Sequence, residues 1–172
     1  METESLTVSV VMQRIAIANR WQAHQWRPIA LQTGAIGLGR TPYCLQADQA
    51  DSRWCFPGFE VRLFSDEAEG YFLNSSAPAP CWFIMSRVEE HDGIVDMLVP
   101  HGVTLSYNEA ARLMDGGERV DTLPLQATIG ERLSSFVRAY YRPQENRKRK
   151  KPSFEGGAGV ALMARAEGQH GR

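Results

Sequence analysis

The chain has 172 residues and a mass of 19.3 kDa, the size of one domain with a short appendage. Apolar residues make up 43% and charged residues 23%, so a core can be buried and wholesale disorder is excluded. The formal net charge of −1 excludes a protein that coats nucleic acid along its whole length, and the chain is too short for two catalytic domains.

The first two-thirds reads as strands. Alternation from Leu6 to Met12 places Leu6, Val8, Val10 and Met12 on one side and Thr7 and Ser9 on the other. Beyond Gln13 and Arg14 the apolar set moves to Ile15 and Ile17, a change of phase that predicts a bulge or the strand's end. Ala18-Asn19-Arg20 predicts a turn, and Trp21 to Leu31 a second extended piece, placed partly at an edge because Pro28 lacks an N–H. From Gln32 to Asp51, glycines and small polar residues predict a long loop.

Strand texture returns at Trp54 and is clear from Phe59 to Phe64. The acidic stretch Ser65–Gly70 is expected to turn a hairpin into a strand at Tyr71-Phe72-Leu73. Cys81 to Met85 is apolar on both faces, as a strand covered on both sides should be. Glu89 to Gly93 reads as a polar turn and Ile94 to Val99 as the answering strand.

After Pro100 the period becomes helical. Ser106 and Glu109 have the capping-box spacing, Ala110, Leu113 and Met114 share a face, and Gly116-Gly117 ends the helix. Leu125, Ile129, Leu133, Phe136, Val137 and Tyr140 form one stripe of a longer amphipathic helix, stopped by Pro143 and expected to dock on the sheet. The resulting expectation is an α+β fold. It has an antiparallel bent sheet or partly closed β-barrel of about six or seven strands, then two C-terminal helices, a layout like that of pleckstrin-homology domains.

Residues 1–143 are expected to form one globular domain and 144–172 a basic, disordered tail. The first part carries 12 arginines and lysines against 17 acids, net −5; the second carries 7 against 3, net +4. All three lysines lie in Arg147-Lys148-Arg149-Lys150-Lys151, a run able to attract nucleic acid, anionic membrane or an acidic protein, or simply to be solvated.

Signals for chemistry are sparse. Gly34-Ala35-Ile36-Gly37-Leu38-Gly39 has G-x-x-G-x-G spacing, the reverse of the dinucleotide fingerprint, and no helical pattern follows it. The histidines His24, His91, His101 and His170 lack ligand spacing to one another or to cysteine, and no G-x-S-x-G elbow occurs. No cofactor or metal is therefore expected. Cys44, Cys55 and Cys81 form no C-x-x-C pair, and an odd count argues against a secreted disulfide scaffold. Cys81 reads as a small core residue, and Cys55 as the cysteine to test for reactivity. Glu2 and Glu4 with no early basic residue do not suit a signal peptide, and no apolar run reaches the roughly 18 residues of a membrane span, so a cytoplasmic location is expected. Trp21 and Trp26 have opposite parity along a strand, so both face inward only across a bulge. Either is a candidate partner contact, the plainer alternative being a tryptophan that covers the end of the sheet.

Val8-Ser9-Val10-Val11-Met12-Gln13-Arg14, the Trp21…Trp26 pair and Tyr107–Glu118 (YNEAARLMDGGE) together resemble an uncharacterised bacterial family, the domain of unknown function 3305, over about Leu6 to Tyr141. Members of that family are often encoded near formate dehydrogenase genes. The resemblance therefore implies a role in making or supporting that molybdoenzyme, with the enzyme or its maturation factors as partner. It supplies no catalytic residues. The expected function is a non-enzymatic accessory or interaction protein, contacting a protein partner through Trp21, Trp26 and the basic run. The alternatives are binding of nucleic acid or an anionic surface by residues 147–151, and an enzyme with a site around His101, Cys55 and Trp54.

Overall fold

The computed structural model describes residues 2–34 and 39–144. Met1–Arg142 forms a compact unit of seven strands and three helices. The basic run 147–151 and the rest of the tail from 145 onward lie outside the described residues.

Strands β1 (Glu2–Ala16), β2 (His24–Thr33), β3 (Tyr43–Gln46) and β4 (Asp51–Phe64) make an antiparallel sheet in the order β2-β1-β4-β3. Pro28 lies on an edge strand, where a missing N–H breaks no ladder. The long connection expected from 32 to 51 carries β3, a short strand hidden by its polar composition. No bulge follows Gln13. Pairing runs unbroken from Gln13↔Arg27 to Ala16↔His24; besides one between Glu2 and Glu4, the irregularities fall between Val11 and Met12 and between Val8 and Val10. The last is an extra residue on β4 at Gly58, where φ is +83° and a β-carbon would come within 2.7 Å of the Arg40 side chain, so only glycine suits.

The chain after β4 does not turn a hairpin. Ser65–Glu67 makes one turn of 3-10 helix and runs into α1 (Ala68–Ser75), so Tyr71, Phe72 and Leu73 are helical. Tyr71 is buried against Phe136, and its hydroxyl accepts the Phe64 N–H at 3.2 Å. That inward anchoring is invisible to a period-two reading of three aromatic and aliphatic residues.

Strands β5 (Cys81–His91) and β6 (Ile94–Thr104) form a hairpin through Asp92-Gly93, both at positive φ as a tight two-residue turn requires. β6 continues through Pro100 to Thr104, where the period-two pattern had been read as ending; a register shift leaves His101 as the extra residue opposite Met85 and Ser86. With β7 (Arg119–Pro124) they make a second sheet, ordered β6-β5-β7. Central strand β5 is covered on both faces. Trp82 and Ile84 face the core, while Phe83 meets Tyr107 of α2 (Tyr107–Asp115) edge-on at 6.2 Å.

Ser106 caps α2, its Oγ accepting the Glu109 N–H at 3.1 Å. The reciprocal arm of the capping box is relayed. The Ser106 N–H donates to Thr104 Oγ1, which donates to Glu109 Oε2 at 2.6 Å. Gly117, at φ +86°, ends the helix, with the Glu118 N–H returning to the Leu113 carbonyl.

Helix α3 (Ala127–Tyr140) buries Ile129, Leu133, Phe136 and Val137. Its principal neighbour is α1 rather than a bare sheet, and Tyr141 just beyond it stacks on Phe72 at 4.4 Å. One core draws on both sheets, α1 and α3.

The sheets do not close into a barrel. Between the facing edges of β2 and β7, side chains replace a ladder: Arg119 Nη2 donates to the Trp26 carbonyl at 3.1 Å and Gln126 Nε2 to the Leu31 carbonyl at 2.7 Å. Gln126 Oε1 also accepts the Trp82 indole N–H at 2.8 Å. Helices interleave with strands, α1 before β5 and β7 between α2 and α3, so the expected run of strands followed only by helices is corrected.

Candidate functional site

The β1–β2 connection projects from one end of the first sheet. It is closed by the Ile17 N–H on the Ala23 carbonyl at 3.0 Å and shaped by Asn19, whose Oδ1 accepts the Trp21 N–H at 2.9 Å. Trp21 stands at its tip, 87% exposed, with the Arg20 guanidinium 5.5 Å from its ring centre. Trp26 lies inside, 4% exposed and part of the core. Of the two tryptophans taken as candidate partner contacts, Trp21 is exposed and Trp26 is buried.

Beside this hairpin lie two adjoining clefts that share Arg14. The larger, 490 Å³, is lined by Arg14, Ala16, His24, Gln49 and Ala50. The smaller, 240 Å³, adds Ala47, Asp48 and Ser52 to Arg14 and Gln49. Register builds the clefts: Arg14 is paired with Trp26 on one side and Ser52 on the other, at the inward parity of Val10 and Met12. The 47–50 segment is tied down by the Ala16 N–H on the Ala50 carbonyl and by Asp48 Oδ1, which accepts the Ala50 N–H at 2.8 Å.

The described arginines differ in what they hold. Arg53, Arg62, Arg87, Arg112, Arg119 and Arg132 each hold a carboxylate. Among the described residues Arg14 holds none; its guanidinium lies 5.7 Å from the Trp26 ring centre. The Arg14 Nε and the neighbouring Trp26 Nε1 are both buried donors without an acceptor. On the opposite face, Gln13 accepts from Arg27 and donates to Asp51, whose carboxyl is held below its ordinary range by Arg53 first and then by Gln13.

The residues of the enzymatic alternative do not share a site. Cys55 is 1% exposed, opposite Tyr43 of β3 and Val11 of β1, where its contact raises the Tyr43 phenol above its usual range; it is not the accessible thiol expected. Trp54 packs edge-on against His91 at 5.6 Å, whereas His101 pairs with Glu89. Nearby, Arg87 grips Glu118 and lowers its carboxyl pKa, with a smaller effect from His101. Burial pushes the Cys81 thiol up, and Cys44 is exposed. Among the described residues no three His, Cys, Asp or Glu side chains converge as metal ligands would, and no helix is long and apolar enough to cross a membrane.

The model of a family described as a protein of unknown function (DUF3305) matches residues 7–150. The chain belongs to the DUF3305 family. Comparison of this DUF3305 protein with curated proteins and with solved structures finds no match. Its Val8–Arg14 stretch forms the middle of β1 and ends at the cleft arginine; its Tyr107–Glu118 stretch is α2 with its C-cap and the Glu118 ion pair. Sequence reasoning passed over Arg14 as a break in phase. The available signal was its parity: a charge continuing the inward series Val10, Met12 on a strand must be paired, solvated or functional.

Proposed function

We propose that this DUF3305 protein is a non-enzymatic, cytoplasmic accessory protein that docks a protein partner through the β1–β2 hairpin end. The observation that carries the reading is Trp21, an aromatic with a polar edge held 87% exposed on a loop braced by its own hydrogen bonds. Such a side chain pays little entropy on being covered. The resemblance to a family encoded near formate dehydrogenase genes makes that enzyme or its maturation factors the partner. A tagged full-length chain, expressed in cells making formate dehydrogenase, should co-purify with one of them, and Trp21→Ala should lose it while remaining folded. Recovery of neither, or recovery indifferent to Trp21, overturns the reading.

A second reading rests on charge. Residues 144–172 carry net +4, with five consecutive cations at 147–151, against −5 on the rest. Binding to nucleic acid or anionic vesicles through that run should weaken steeply with salt and vanish on deleting 144–172. Salt-insensitive binding removes it.

A further inference from the structure

The two clefts at the end of the first sheet share Arg14 and Gln49, of which only Arg14 is charged. Three observations on that side chain converge. It is the inward-facing cation of a strand whose preceding inward positions are Val10 and Met12. Its Nε–H is buried without an acceptor, and so is the indole N–H of Trp26, its cross-strand neighbour. It holds no carboxylate among the described residues, as is also true of Arg20, Arg27, Arg40, Arg138 and Arg142, but among the described arginines it alone has a buried Nε without an acceptor. Buried donors are almost always satisfied, so an unpaired guanidinium Nε on a side chain that lines two clefts indicates an acceptor supplied from outside the chain, while Trp26, which lines neither cleft, sits close enough to report on it.

We propose that the Arg14 clefts form a binding site for a carboxylate, with the outer guanidinium N–H groups as its principal donors. Charge selects the class. Arg14 brings one positive charge, and the one acid on the walls, Asp48, has its Oδ1 committed to the Ala50 N–H. With Asp48 on the same walls, a singly charged carboxylate meets less repulsion there than a doubly charged phosphate would. Shape agrees, since a planar carboxylate meets the guanidinium fork with two parallel hydrogen bonds. His24 and Gln49 line the larger cleft and can donate to the rest of a ligand, and 490 Å³ admits an acidic side chain or a small organic acid. The site does not depend on the docking role given to Trp21.

The test is a titration of the full-length chain followed by the Trp26 indole N–H signal in nitrogen–proton correlation spectra, assigned with Trp26→Phe. Acetate probes a free organic acid and N-acetyl-glutamate methylamide with both ends blocked probes an acidic side chain; N-acetyl-glutamine methylamide, inorganic phosphate and chloride are the controls at matched ionic strength. Either carboxylate should shift the Trp26 signal saturably, and the tighter of the two identifies the source. Arg14→Gln should weaken that binding at least tenfold and Arg14→Lys should do so less. The proposal is overturned if neither carboxylate saturates, if the glutamine compound or phosphate binds as well, or if Arg14→Gln leaves the titration unchanged. The comparison of carboxylate with neutral amide needs no variant, so it decides the matter even if Arg14→Gln does not fold.

Discussion

A β-carbon on Gly70 would lie 2.2 Å from the Ser106 hydroxyl oxygen, the atom that caps α2. The first turn of α1 is thus pressed onto the start of α2, and the same hydroxyl donates to Glu67 at 3.2 Å, which also binds Arg112. Gly70→Ala must displace the cap or separate the helices. A loss of about 1–3 kcal/mol in urea unfolding is expected, and an unchanged midpoint would show that the contact is slack.

Asn74 is a buried polar clamp. Its amide donates to the Cys81 and Leu105 carbonyls at 2.8 and 2.9 Å, and its oxygen accepts the Cys81 N–H at 3.0 Å. Asn74→Ala strands three backbone groups and should cost at least about 2 kcal/mol. Asn74→Asp restores the acceptor alone and should remain well below wild type in the same denaturation experiment.

The two tryptophans of the first hairpin separate stability from contact. Trp26→Ala opens the core and should cost about 3–5 kcal/mol, while Trp21→Ala should change stability by no more than about 0.5 kcal/mol. Calorimetry of the two variants tests this directly, and a large effect at Trp21 would contradict its exposure.

Much of this fold could be read from the residues, and the failures have physical causes. β1, β5, the capped α2 and the α3 stripe announce themselves through alternation, an apolar run, a capping box and helical spacing, although Ser9 of β1 is buried and Met114 of α2 exposed against their expected faces. Helix α1 did not, since an acidic lead-in and Tyr71-Phe72-Leu73 suit a hairpin as well as a short helix; what decides is long-range, the docking of Tyr71 on Phe136. β3 is a strand because β4 offers it an edge, a condition no local window contains. The α3 boundary likewise hides the task of Gln126, which bridges Trp82 and Leu31 rather than capping its helix. The Arg14 clefts combine residues 14–16, 24 and 47–52, and only register brings those segments together.

Thiol labelling should follow a fixed order. Cys44 is exposed and should react first, Cys81 more slowly because burial raises its pKa, and Cys55 only as the chain unfolds. Mass spectrometry of peptides after a timed alkylation reads this order. Early modification of Cys55 would place it at the surface.

Acid should release a stabilising contribution from Asp51. Arg53, and after it Gln13, hold its carboxyl below the usual range in the folded chain. A depressed folded-state pKa contributes stability that is complete above the unfolded value of about 4 and is lost as pH falls through the folded one. The difference in urea midpoint between wild type and Asp51→Asn should therefore be largest near pH ~6 and shrink toward pH ~3. A gap that widens on acidification would reverse the assignment.

The join between β2 and β7 has a mechanical consequence. It is laced by two side chains, Arg119 and Gln126, where a backbone ladder would have zipped it. A lace can be undone one stitch at a time without unravelling either sheet, so amide exchange along this seam should outpace that of the β1–β4 and β5–β6 ladders. Because Gln126 also holds the Trp82 indole, opening there would be felt in the middle of the second sheet.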